Sequence, residues 1–148
     1  MIIISVNKGV FHKGEIMVDH LSDYAKQALD SACNFSNTLG QGYIGSEHLL
    51  YGILSCDGSV GAELLKGRGA ELKNMESVIG ASSPVLGHLT ATHTDMTPNL
   101  KRILELSADF ASKQGSEKVG TEHLLHGILE SGTGAACRIL SYCGISKE

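Results

Sequence analysis

Ten consecutive residues of this chain occur twice. Gly45-Ser46-Glu47-His48-Leu49-Leu50-Tyr51-Gly52-Ile53-Leu54 returns as Gly120-Thr121-Glu122-His123-Leu124-Leu125-His126-Gly127-Ile128-Leu129, and only positions 46/121 and 51/126 differ. Gly120 lies 75 residues after Gly45 (120 − 45), and the same offset relates Lys26 to Lys101, Leu29 to Leu104, Phe35 to Phe110, Gly40 to Gly115, Leu65 to Leu140 and Gly69 to Gly144. One gapless offset held over that length is the mark of a duplicated unit, and units of a repeat bury their apolar faces on each other. A chain of 148 residues built this way is expected to form one domain, or two small ones sharing a core.

Helical spacing runs through both units. Ser22 suits an N-cap and Asp23 the positive end of the helix dipole; Ala25, Ala28, Leu29, Ala32, Cys33 and Phe35 then fall on one face, and Gly40 ends the first helix. A loop, 41–45, carries Tyr43 and Ile44. Ser46 is expected to cap a second helix that runs to about Ser55. Val60, Leu64 and Leu65 predict a short third helix ending near Gly67, and Leu72, Met75 and Ile79 a fourth from Glu71 to Ile79. The second unit restarts with Thr97 as cap and Pro98 at the first helical position, where its missing N–H costs nothing. Ile103, Leu104, Leu106 and Phe110 follow as its apolar face.

These readings divide the chain into a tail, 1–20, a first unit, 21–80, a Ser/Thr/Gly-rich linker, 81–95, and a second unit, 96–148. Glu71, where the fourth helix starts, corresponds to Ser146, so the second unit is short of its last helix. The expectation is a piece of a longer protein or a truncated gene. At the other end, Lys13-Gly14-Glu15-Ile16-Met17 can be encoded by a stretch containing a bacterial ribosome-binding sequence, which makes Met17 a candidate natural start.

A formal net charge of −4 and the absence of a Lys/Arg cluster exclude bulk attraction to nucleic acid or anionic lipid. No apolar run approaches the roughly 20 residues of a membrane span. Cys33, Cys56, Cys137 and Cys143 form no C-x-x-C pair, and no secretory signal precedes them. Free or buried thiols in a reducing cytoplasm are therefore expected ahead of disulfides or zinc, with Cys137 and Cys143 the pair whose spacing leaves a bridge open.

Glu122-His123-Leu124-Leu125-His126 looks like the H-E-x-x-H zinc signature in the wrong order, and Tyr51 stands where the other copy has His126. A duplicated metal site would not lose a ligand in one copy, so no metal is assigned. His48 and His123 read as inward-facing structural histidines, one ring nitrogen bonding a backbone carbonyl of the neighbouring loop. Glu47 and Glu122 each follow the residue expected to cap the helix, where dipole compensation contributes ~0.3–1 kcal/mol. No nucleophile, base and orienting group occur together, and the glycine-rich stretches 58–61 and 67–69 lack the Lys and spacing of a P-loop. No catalytic residue is assigned.

The G-[ST]-E-H-L-L-x-G-I-L motif, found twice and each time preceded by a helix ending in Gly, resembles the Clp N-terminal repeat domain of ClpC/ClpA-type AAA+ unfoldases. The resemblance covers about Leu21 to the C-terminus. It implies an all-α fold of two tandem four-helix repeats related by a pseudo-twofold, here with the last helix missing or truncated. It also implies a non-catalytic, monomeric domain that receives protein substrates and adaptor proteins for AAA+ modules of the same chain and a ClpP-type protease, with ATP and Mg belonging to those downstream modules and no cofactor here.

In the ClpC branch the domain also binds phosphorylated arginine. The residues matching that pocket are Glu47 with Ser22 in one repeat and Glu122 with Thr97 in the other, with Ser46 and Thr121 beside them and Ile44 and Val119 lining it. Two like acidic pockets are expected. Ser22 stands where the family usually has Thr, and Asp19 and Asp95 stand near the helix starts, with Lys26 and Lys101 one turn in. The other reading is an adaptor-docking or structural module of a ClpA/ClpB-like chaperone, in which both Glu residues only cap helices.

Overall fold

In the computed structural model, residues 20–82, 91, 95–142 and 144 are described. The Met17 start, most of the linker and Cys143 lie outside them. The described residues form seven α-helices: α1 (Asp23–Leu39), α2 (Ser46–Ser55), α3 (Val60–Gly67), α4 (Leu72–Ser82), α5 (Pro98–Lys113), α6 (Thr121–Ser131) and α7 (Ala135–Tyr142). The architecture is the expected all-α one. α4 runs past Ile79 and takes in residues assigned to the linker, because Gly80 lowers helix propensity by only about 1 kcal/mol and does not end the element.

The starts of α1 and α5 follow the cap chemistry. Ser22 Oγ accepts the Ala25 N–H at 3.1 Å and Thr97 Oγ1 accepts the Leu100 N–H at 3.1 Å. Gly40, at φ 66°, closes α1 in the left-handed region that a Cβ disfavours. The starts of α2 and α6 differ from the expectation. Ser46 and Thr121 are the first helical residues, and the N-caps are Gly45 and Gly120. Each cap glycine donates its N–H to an imidazole three residues on, at 2.9 Å to His48 Nδ1 and 2.8 Å to His123 Nδ1. This is the reciprocal half of a capping box, with histidine in the place usually held by Glu or Gln.

Within each repeat the first two helices pack face to face, α1 on α2 and α5 on α6. The contact is close because Gly52 and Gly127 lack side chains: a Cβ on Gly52 would run into the Ala28 carbonyl oxygen, and one on Gly127 into Ser107 and the Ile103 carbonyl. Ala25, Ala28 and Ala32 present the small face of α1 that allows this approach. Around it Leu29, Leu49, Leu50, Ile53, Leu100, Ile103, Leu124 and Ile128 are buried, each stabilising the fold by about 1.5–3 kcal/mol relative to exposure.

The third helix of each repeat crosses over. α3 packs on α6 and α7 on α2. Two hydrogen bonds fix the crossing: Gly61 N–H donates to Thr121 Oγ1 at 2.8 Å, and Ala136 N–H donates to Ser46 Oγ at 3.1 Å. Gly61 and Ala136 are themselves one offset apart, as are Ser46 and Thr121, so the two bonds exchange under the pseudo-twofold. On the far side of α1, the Asn37 side-chain amide clasps the linker at Ala91, accepting its N–H at 2.7 Å and donating to its carbonyl at 3.3 Å.

Among the described residues Cys33, Cys56 and Cys137 are free thiols, and burial pushes the Cys33 and Cys56 thiols above their ordinary range. Position 51/126, the one strongly varied place in the motif, holds a ring in both copies: Tyr51 stacks on Phe35 with centroids 3.9 Å apart, and His126 on Phe110 at 3.6 Å. Stacking, which either ring satisfies, accounts for Tyr and His at equivalent places.

Gly52→Ala is expected to lower stability by about 1–3 kcal/mol, the cost of overpacking against backbone that cannot retreat. Urea denaturation reads this as a lower midpoint at unchanged slope; an unmoved midpoint would show that α1 and α2 are not in close contact.

Candidate functional site

Two short backbone exchanges bring the site together. Ser22 N–H donates to the Val119 carbonyl at 2.9 Å and Val119 N–H to the His20 carbonyl at 2.6 Å. In the equivalent place Ile44 N–H donates to the Asp95 carbonyl at 2.8 Å and Thr97 N–H to the Ile44 carbonyl at 2.9 Å. These are isolated parallel bridges, Leu21 to Val119 and Ile44 to Met96. The start of each long helix is thus stitched to the loop of the opposite repeat.

The crossing corrects the pairing expected from sequence. Ser22 shares its groove with Glu122, and Thr97 lies against the loop that leads to Glu47. The groove at Glu122 has a volume of about 520 Å³ and is lined by Ser22, Tyr24, Gly58 and Val60 from the first repeat and by Glu117, Lys118, Gly120 and Glu122 among residues of the second. Tyr24 and Val60 are exposed along its rim, at 43% and 53%.

Four of the expected site residues are used otherwise. Ile44 and Val119 are fully buried, so their side chains belong to the core and it is their backbone that shapes the site. Ser46 and Thr121 are 3% and 1% exposed. Thr121 borders the groove, yet its hydroxyl, like that of Ser46, serves the helix of the other repeat. Sequence spacing does not reveal such a contact, because the partners are 60 and 90 residues away.

The two carboxylates are seated in the same way. A Cβ on Gly45 would collide with Glu47 Oε1, and one on Gly120 with Glu122 Oε1. The side chain of each Glu therefore folds back over its cap glycine, in space that a side chain would fill. Glycine two residues before Glu in both copies was the sequence signal for this, and it is legible only once the carboxylate is placed.

The surroundings of the two carboxylates are not alike. Glu47 is 6% exposed and accepts a hydrogen bond from Tyr43 Oη at 3.2 Å. The residue equivalent to Tyr43 is Lys118, which is exposed, and Glu122 is half-buried. The expectation of two matching acidic pockets fails at Tyr43, a position where the repeats diverge.

Behind each Glu stands a buried histidine. His48 is fully buried and His123 4% exposed. Nδ1 of each accepts the cap N–H, so Nε2 carries the proton and donates to Gln41 Oε1 and to Gln114 Oε1, the latter at 3.1 Å. The partner is thus a backbone N–H and a side-chain amide rather than the loop carbonyl expected. Burial pushes both histidines below their ordinary range, against the opposing pull of Glu47 and Glu122. Among the described residues no group of three His, Cys, Asp or Glu side chains gathers as a metal site, and no helix is long and apolar enough to cross a membrane.

Residues 20–144 match the Clp repeat (R) N-terminal domain. The chain belongs to that family. It is 35% identical over 135 residues to the negative regulator of genetic competence ClpC/MecB of Bacillus subtilis, and 32% identical over 147 residues to the chloroplastic chaperone protein ClpC1 of Oryza sativa. These alignments cover 88% and 95% of the chain, which spans 16% of the length of each relative. The fold is that of the N-terminal domain of the ClpD chaperone of Arabidopsis thaliana, at a TM-score of 0.73 and 18% identity, covering 90% of this chain and 91% of that one. The motif residues are those that cap α2 and α6, seat the carboxylate and join the halves.

Protonating His48 or His123 would place a proton between Nδ1 and the cap N–H. Both groups have a folded-state pKa below the unfolded one of about 6.5, so the unfolded chain takes the proton first. Their contribution to stability is full above about pH 6.5 and is lost as pH falls through the folded-state values. The urea midpoint is expected to drop between about pH 7.5 and pH 5.5, above the range of ordinary carboxylates. A midpoint flat across that interval would refute the neutral-acceptor assignment.

Proposed function

We propose that this domain receives protein clients and adaptor proteins for a Clp-type unfoldase, and that its Glu122 groove reads arginine-phosphorylated residues. The observation that carries the reading is the meeting of Ser22, the start of α1 and the Glu122 carboxylate in one open groove. A phosphoarginine side chain presents a phosphate and, next to it, guanidinium N–H groups. The N-terminal end of α1 suits the phosphate through its backbone N–H groups and dipole. Ser22 Oγ already accepts from Ala25 N–H, which leaves its hydroxyl hydrogen to donate to a phosphate oxygen. Glu122, preset over Gly120, accepts from the guanidinium in a charge-assisted pair.

The named relatives, one of them a chaperone by name, are several times longer than this chain, and in this reading the domain acts beside AAA+ modules that bind ATP and Mg and pass clients to a ClpP-type protease. In this reading it binds and does no chemistry of its own. A second reading, adaptor docking without phosphoarginine, is favoured by Glu47, which sits 6% exposed under Tyr43 and behaves as a structural group.

Calorimetric titration with free phosphoarginine separates the two. Wild type is expected to release heat that Glu122→Ala abolishes. Gly120→Ala keeps a backbone that alanine tolerates, at φ −97°, while its methyl displaces the carboxylate. Losing one charge-assisted pair is worth about 1.5–3 kcal/mol, so binding should weaken by about tenfold or more while the helical circular dichroism is retained. No heat from wild type at millimolar ligand would leave the docking reading in its place.

A further inference from the structure

We infer that of the two pseudo-equivalent carboxylates only Glu122 is open to a ligand, and that Tyr43 closes off Glu47. For its ligand, though not for its geometry, this rests on the phosphoarginine reading above.

The repeats share the same acidic residue, the same cap glycine and the same buried histidine, so the difference must lie in what covers the carboxylate. On the loop side, Tyr43 Oη donates to Glu47 Oε2 at 3.2 Å, and its ring meets the His48 ring edge-on with centroids 5.2 Å apart. The phenol thus takes the place at the carboxylate that a guanidinium would need. At the equivalent position stands Lys118, exposed along the Glu122 groove, and there the carboxylate is left half-buried.

On the helix side the repeats differ again. Tyr24 lines the Glu122 groove, partly exposed, with its hydroxyl lying over Gly58. Its equivalent is Asn99, whose side chain is drawn across to the turn before α7, where Nδ2 donates to Thr133 Oγ1 at 3.5 Å and Oδ1 lies against Gly134. Each side chain reaches toward the turn before the third helix of its own repeat, so this position does not separate the two sites. What separates the two carboxylates is the cover on the loop side, and Glu47 is left 6% exposed where Glu122 is half-buried.

Two measurements on the whole chain test this, one of them independent of any ligand. Carbodiimide-driven amidation with glycinamide, read residue by residue by mass spectrometry, reports carboxylate access. Glu47 is expected to react roughly tenfold more slowly than Glu122, as a group that needs a local opening does. Tyr43→Lys, which installs the second repeat's residue, should bring Glu47 close to the Glu122 rate. Tyr43→Phe, which keeps the ring and removes only the hydroxyl, is the control for folding and should lie between. Equal labelling of the two in wild type overturns the inference.

Calorimetry with phosphoarginine should give one site per chain in wild type, unchanged by Glu47→Gln, and a second site in Tyr43→Lys. Two equal sites in wild type overturn the inference. Unequal labelling with no heat from any variant supports the closing off of Glu47 and discards phosphoarginine as the ligand.

Discussion

The structure depends on a reciprocal exchange at its centre. The hydroxyl of Ser46 accepts a backbone N–H from the first turn of α7, and the hydroxyl of Thr121 accepts one from the first turn of α3. Each is buried, and each satisfies an N–H that a helix start otherwise leaves without an intrahelical partner. A buried donor without its acceptor costs about 1–3 kcal/mol, so neither third helix can sit correctly unless the other repeat is in place. Close contact at Gly61, whose added Cβ would meet Thr121 and Ile53, confines the crossing further. The halves are thus bound by polar groups that fit only one mutual arrangement, while the leucines and isoleucines around them supply most of the burial energy.

That arrangement also makes the grooves. Because Leu21 pairs with Val119 and Ile44 with Met96, the capped start of each long helix lies beside the acidic helix of the opposite unit. Neither groove belongs to one repeat. The duplication supplies two copies of every part, and the crossing decides which copies meet. Divergence at Tyr43 against Lys118 then gives the two carboxylates different surroundings while the shared frame stays the same.

The helices were largely legible in the sequence, and for identifiable reasons. Ser22, Thr97 and Pro98 are cap chemistry that acts over three or four residues, and Gly40 takes a left-handed conformation that its own backbone requires. Such signals are local and need no partner. The starts of α2 and α6 were misassigned by one residue because a hydroxyl followed by an acidic residue looks like a cap. There the cap is glycine, and histidine does the bonding usually left to Glu or Gln. The glutamines that orient those histidines are not legible in the repeat because they do not obey the offset: Gln41 serves His48, but Gln114 serves His123.

Periodicity and cap residues by themselves determined that this chain is helical and duplicated, with Glu47 and Glu122 at matching places on matching helices, since those properties depend on neighbours a few residues apart. Which serine or threonine faces which glutamate was decided only by the tertiary structure. So was the commitment of Ser46 and Thr121 to the opposite repeat, and the covering of Glu47 by a phenol. Those are contacts between segments distant in the chain or side chains turned by packing, and a one-dimensional pattern carries no information about which of two identical partners a crossed pair of repeats will choose.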